Sequence, residues 1–255
     1  MPYTKDGIKY PRCTNIIGDC TDKSGGLVPW ATECFAKWIR DNCPSDTYPG
    51  CYLVCGEELN QARFAYKTVS DKALDVGSEV HNAIETWLKE LMNGWHGAPE
   101  MHICPKLSPQ AHTAFAAFLL WADEHNLKPI ELEKTVYGSR WAGTLDFYGY
   151  FDDKLYVIDW KTSKPKNKKT GKGIYPEMRY QVAAYRIAIE DEIQDEELYP
   201  EGCGVLRLDK ETGMPDWNDT SKTFDSDLRV FNRMVDLYFE RHPRIAKRFE
   251  DILPF

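Results

Sequence analysis

The sequence predicts a mixed α/β fold: a central mixed β-sheet flanked by helices, with a helical segment ahead of it. Three observations lead there. Through most of the first 126 positions, apolar residues recur at three- and four-residue intervals, the period of helices that bury one face. Three segments rich in β-branched and aromatic residues then follow in close succession, separated by turn residues. A further helical pattern and a short extended run come next, an order that returns a chain to its own sheet through a crossover.

Taken along the chain, Leu27, Trp30, Ala31, Cys34, Phe35, Trp38 and Ile39 form a helical stripe, with Pro29 tolerated in the first turn. A second helical stretch is expected over 57–68. A third carries Ala73, Val76, Gly77, Val80, Ile84, Trp87, Leu88 and Leu91 on one face. Ser108-Pro109 reads as the cap and first turn of a helix over 111–125. Strands are expected over 130–137, 141–150 and 155–161, with turns at Gly138-Ser139 and Asp152-Asp153. In the last of these, Leu155 and Val157 share parity with Asp159 and Lys161, while Tyr156, Ile158 and Trp160 point the other way. Apolar groups on both faces imply a central strand covered on both sides. A helix over 177–189, a strand over 203–208 and a helix capped by Asp225, running to Phe239 and broken at Pro243, complete the reading. Without a repeat or a long linker, a single domain over 1–255 is expected. It comprises a mainly helical part (1–126), a sheet-bearing core (127–210) and C-terminal helices (211–255).

Composition narrows the function classes. At 42% hydrophobic and 28% charged over 255 residues, the chain is that of an ordinary globular protein. The longest apolar run, 114–122, is half of the ~18 residues that a membrane span needs. Met1-Pro2-Tyr3-Thr4-Lys5-Asp6 has no apolar core of a signal peptide, so a cytoplasmic protein with reduced thiols is expected. Of the eight cysteines only Cys43, Cys51 and Cys55 cluster, and no CxxC or paired histidine completes a zinc site. The net charge of −8 is unevenly spread. Acids crowd 190–197, whereas Lys161, Lys164, Lys166, Lys168, Lys169 and Lys172 form an acid-free run that can follow a phosphate backbone.

One spacing carries chemistry. Asp159-Trp160-Lys161 sets an acid and an ammonium two residues apart, hence on one face of a strand and roughly 7 Å apart at the backbone. A divalent ion with its water fits between their tips, and phosphodiester hydrolysis needs that ion, acids to hold it and a group to position water. The same acid-x-lysine spacing recurs in Asp152-Asp153-Lys154, but there in a turn. A strand buried on both faces does not end in two charges unless they are paired or bound.

Around this triplet stand Gly77-Ser78-Glu79-Val80-His81, Gly143-Thr144-Leu145-Asp146 and Gln181-Val182-Ala183-Ala184-Tyr185. The ordered set G-x-x-x-H, G-x-x-D, D-W-K-T, Q-x-x-x-Y resembles the RecB-like branch of the PD-(D/E)XK nucleases over residues 75–190. It is similar above all to the mitochondrial genome maintenance exonucleases and their phage relatives. The resemblance implies a restriction-endonuclease-like core and a metal-dependent deoxyribonuclease acting on DNA that is single-stranded or has free ends. Asp146 and Asp159 would hold Mg2+ or Mn2+, joined by the Trp160 backbone carbonyl and by His81, whose imidazole suits manganese better. Lys161 would orient the attacking water. Gln181 and Tyr185, on one helix face, would line the site and contact DNA, as would Lys164, Lys166, Lys168 and Lys169. A further acid is expected from the strand 130–137, where Glu131 and Glu133 share a face; Glu133 is the choice. Some relatives hold an iron–sulfur cluster with three cysteines after the core, but only Cys203 follows it here, so no cluster is expected. A structure-selective endonuclease and a catalytically silent DNA-binding module are the alternatives, and retention of both aspartates and the lysine disfavours the second.

Overall fold

In the computed structural model, which describes residues 3–45, 48, 50–94, 106–163 and 173–249, the chain enters through a hairpin of β1 (Tyr3–Lys5) and β2 (Ile8–Tyr10). Asp6 and Gly7 both take positive φ, 50° and 77°, as a two-residue type I′ turn requires. The Asp-Gly pair is the signal for this hairpin, yet three-residue strands show no alternation, and the helical reading of 1–126 passes over it.

Helices α1 (Cys13–Cys20), α2 (Ser24–Asn42), α3 (Gly56–Ala62), α4 (Ala65–Met92) and α5 (Pro109–Glu124) follow. Contacts divide the chain into two compact units, Asp22–Ser78 and the combination of Met1–Thr21 with Glu79–Phe255. The stretch expected as one helix over 57–68 is two. α3 closes with Arg63 N–H on Leu59 O and a tighter bond from Phe64 N–H to Gln61 O, and α4 restarts at Ala65. No glycine or proline marks that break, so periodicity alone cannot show it. α4 then absorbs the third expected helix into 28 residues. The apolar stripe of α2 is not core: none of its residues is buried, and Trp30 is 36% exposed. The Ser108 hydroxyl accepts from Ala111 N–H, with Pro109 in the first turn of α5, as the sequence predicts.

Strands β3 (Lys128–Tyr137), β4 (Ala142–Phe151), β5 (Lys154–Ser163), β6 (Gly202–Asp209) and β7 (Pro215–Asp219) form one mixed sheet in the order β3-β4-β5-β6-β7. Only β5 and β6 run parallel, joined by the crossover helix α6 (Pro176–Glu192). β5 is therefore central. Leu155 and Val157 pack in one cluster with Val182, Ala188 and Phe231, while the Trp160 ring lies 5.3 Å from that of Phe118 on α5. With helices on both faces, this is the restriction-endonuclease-like arrangement. β7 lies where helices were expected; its proline and acids suit an edge strand and hide the alternation.

α7 (Phe224–Arg241) starts after Thr223, not after Asp225, which sits within its first turn. The Thr223 hydroxyl donates to Asp227, which is gripped through two oxygens by Arg179. α8 (Pro243–Ala246) restarts the chain at the expected proline. No described helix is long and apolar enough to cross a membrane.

Candidate active site

The site forms where the sheet opens. β4 and β5 pair regularly from Phe151↔Lys154 to Phe147↔Ile158, and the ladder stops one residue short of Asp146 and Asp159. The Trp160 N–H beyond it donates to Asp146 Oδ2 at 2.8 Å. A side chain has thus taken the place of a backbone acceptor, which fixes the carboxylate at the mouth of the gap.

On the other side of β4 the register runs from Leu132↔Phe147 to Lys134↔Leu145, so by count Glu133 falls opposite Asp146. Glu133 takes φ 48°, a left-handed conformation that a non-glycine residue within a strand rarely adopts. Like charges directly opposed on two strands repel. Burial first, then the charges of Asp146, Glu85 and Asp159, push the Glu133 carboxyl up to about 8. Glu131 pairs instead with Lys134 at 3.1 Å.

His81 reaches the gap from α4. Its Nε2 lies 3.1 Å from the Trp160 carbonyl, and its Nδ1 lies 3.8 Å from Asp146 Oδ2. One ligand atom each of His81, Glu133 and Asp146 lies within 4.8 Å of the others, the only such group of three among the described residues. An imidazole and two opposed carboxylates make a donor set for a divalent cation, whose charge would relieve the repulsion. His81, Glu85 and Lys89 recur every four residues along α4, and Glu85 holds the Lys89 ammonium. The spacing of Glu85 and Lys89 from His81 is visible in the sequence, but no motif there marks either residue.

Asp159 is fully buried and is not one of these three. The Lys161 ammonium holds its Oδ2, and Gln181 Nε2 donates to its Oδ1 at 3.0 Å. Burial raises the Asp159 carboxyl to about 6 against the pull of that ammonium. For Lys161, burial alone would lower the ammonium, but the carboxylates of Asp159 and Asp146 hold it above its ordinary value. Gln181 Nε2 also donates to the Tyr185 hydroxyl at 3.2 Å. The Tyr185 ring explains the glycine of G-x-x-D, because a Cβ at Gly143 would sit 2.4 Å from its Cε1. Cys13 at the start of α1 is wholly buried, and burial, then the Asp159 charge, raises its thiol well up. Nothing in the local sequence marks it.

The structure therefore brings His81, Glu133 and Asp146 together beside the Trp160 carbonyl, and joins Asp159 to Lys161 and Gln181 and, through Gln181, to Tyr185. Lys164, Lys166, Lys168 and Lys169 lie outside the described residues.

The sequence profile of the PD-(D/E)XK nuclease superfamily matches residues 52–251. No curated protein matches the chain. Among solved structures, the crystal structure of SSO0001 is similar at 12% identity over 49% of this chain, with a TM-score of 0.29. This chain spans 57% of the length of that one.

Proposed function

Since the chain belongs to the PD-(D/E)XK nuclease superfamily, whose members are divalent-metal-dependent nucleases, we propose that it is a DNA exonuclease acting on strands with a free end. In this reading, residues 1–255 work as one nuclease domain in replication, recombination or repair. The observation that carries the metal-dependent part is the convergence of His81, Glu133 and Asp146 within 4.8 Å beside the Asp159–Lys161 pair.

In the reaction, Asp146 and Asp159 would hold the cation, with the Trp160 carbonyl, His81 and Glu133 completing its surroundings. His81 Nε2 stands at hydrogen-bond distance, 3.1 Å, from the Trp160 carbonyl oxygen, which keeps these two donors side by side. When bound, magnesium or manganese would neutralise phosphate charge and make water a better nucleophile. Lys161 would then exchange Asp159 for the attacking water and the charge that develops on phosphate. Gln181 holds the Asp159 carboxylate in place, and with Tyr185, to which it also donates, would line the path of the strand. The lysines of 164–172 would follow its phosphates, so binding should weaken steeply with salt.

End-labelled linear and closed circular single-stranded DNA, incubated with and without magnesium or manganese, test the reading. Metal-dependent loss of linear strands with circles spared is expected. Cleavage of circles at the linear rate would replace the exonuclease by an endonuclease on the same fold, and no cleavage of either would leave a DNA-binding module.

A further inference from the structure

A second charged cluster is buried one strand away from Lys161. The parallel register of β5 and β6 pairs Lys161 with Arg207 and Ser163 with Asp209, so these four side chains share one face of the sheet. Arg207 is 2% exposed. Its Nε donates to Asp216 Oδ2 on β7 at 3.1 Å, its Nη1 donates to Ser163 Oγ at 3.0 Å, and Asp209 Oδ2 lies 3.7 Å from that Nη1. Asp209 is itself fixed, its Oδ1 accepting from the Glu211 and Thr212 N–H groups.

Two cations on adjacent strands repel, and each has carboxylates of its own: Asp159 for Lys161, Asp216 and Asp209 for Arg207. Burying such a cluster contributes little to stability compared with apolar residues of similar volume. Its geometric effect is specific. Ser163, the last residue of β5, is tied by its hydroxyl to Arg207 and by its carbonyl to the Lys210 N–H at 3.1 Å. The backbone that carries Lys161 is thereby clamped two residues downstream, ahead of the lysine-rich segment 164–172.

We infer that Arg207, through Ser163, is a positioning residue for Lys161: the clamp sets where the ammonium stands relative to Asp159 and to the reacting phosphate. The inference rests on the nuclease reading. It is tested by steady-state cleavage of linear DNA, with melting temperature measured alongside. Ser163→Ala should lower kcat by about tenfold with KM and melting temperature little changed, because a catalytic group displaced by a fraction of an ångström loses rate before it loses binding. Ser163→Thr, which keeps the hydroxyl, should restore most of that rate. Arg207→Lys keeps the charge but not the fork that reaches Asp216 and Ser163 together, and it should behave like Ser163→Ala. If the parent cuts DNA and Ser163→Ala and Arg207→Lys both keep kcat within about twofold, the positioning role is overturned. A loss that appears in KM, or that tracks the melting temperature alone, overturns it equally. If the parent itself does not cut, the nuclease reading fails and the positioning role falls with it.

Discussion

Replacing Glu133 by glutamine should make the metal-free protein more stable at alkaline pH and weaken its hold on divalent cations. The substitution keeps the size and shape of the side chain while removing one of the two carboxyls opposed across β3 and β4. Burial and the neighbouring acids raise this carboxyl from 4.5 to about 8. Between those values the folded protein keeps a proton that the unfolded chain has lost, so stability falls as pH rises through the window. The penalty is absent below 4.5 and complete above about 8. That rise corresponds to at most ~5 kcal/mol, and solvent at this partly buried group screens it to about 1–2 kcal/mol. For a chain of this length, each kcal/mol moves the melting temperature by roughly 2–4 °C. Thermal unfolding in a chelator at about pH 8.5 should therefore place Glu133→Gln roughly 2–8 °C above the parent, the gap closing toward about pH 5. Added magnesium or manganese should then raise the parent more than the variant, since cation and proton compete for the same carboxylates. A variant that melts at or below the parent at about pH 8.5 without metal would refute the opposed-carboxylate account.

Lys161→Ala should abolish cleavage yet leave metal binding measurable by calorimetry, while Asp159→Asn weakens that binding. Fully buried Asp159 loses its ammonium in Lys161→Ala, so the variant should stay folded by circular dichroism but lose about 3 kcal/mol at neutral pH. A cleavage rate near the parent's would remove Lys161 from the chemistry. His81→Ala should cost activity and narrow any preference for manganese over magnesium without unfolding α4, since alanine is the better helix former; equal metal dependence in parent and variant would take His81 out of the shell. Gly143→Ala drives a Cβ into the Tyr185 ring, so a loss of about 1–3 kcal/mol and of activity is expected. An unchanged melting temperature and rate would show that Tyr185 has room to move.

Local chemistry sufficed for much of this protein. Ser108-Pro109 starts a helix wherever it lies, because cap and proline act within one turn. The two-faced apolar pattern of β5 could belong only to a covered strand, and the spacing of Asp159 and Lys161 put both on one face of it. Other features depend on partners far along the chain. Glu131 and Glu133 share parity in sequence, and only the pairing of β3 with β4 and the turned backbone at Glu133 sets one beside Asp146 and leaves the other to Lys134. The break at Arg63-Phe64, the edge strand β7 and the burial of Cys13 likewise have no periodic signature. The sequence by itself determined which residues are candidates for the chemistry, His81, Glu133, Asp146, Asp159 and Lys161 among them, and that helices and strands carry them. The tertiary structure alone decided that β4 and β5 part at Asp146, that Lys161 turns to Asp159, and that Arg207 holds the strand end beside it. The physical reason is that ladder registers and ion pairs are contacts between segments, and a one-dimensional period records only the face on which each segment meets the rest.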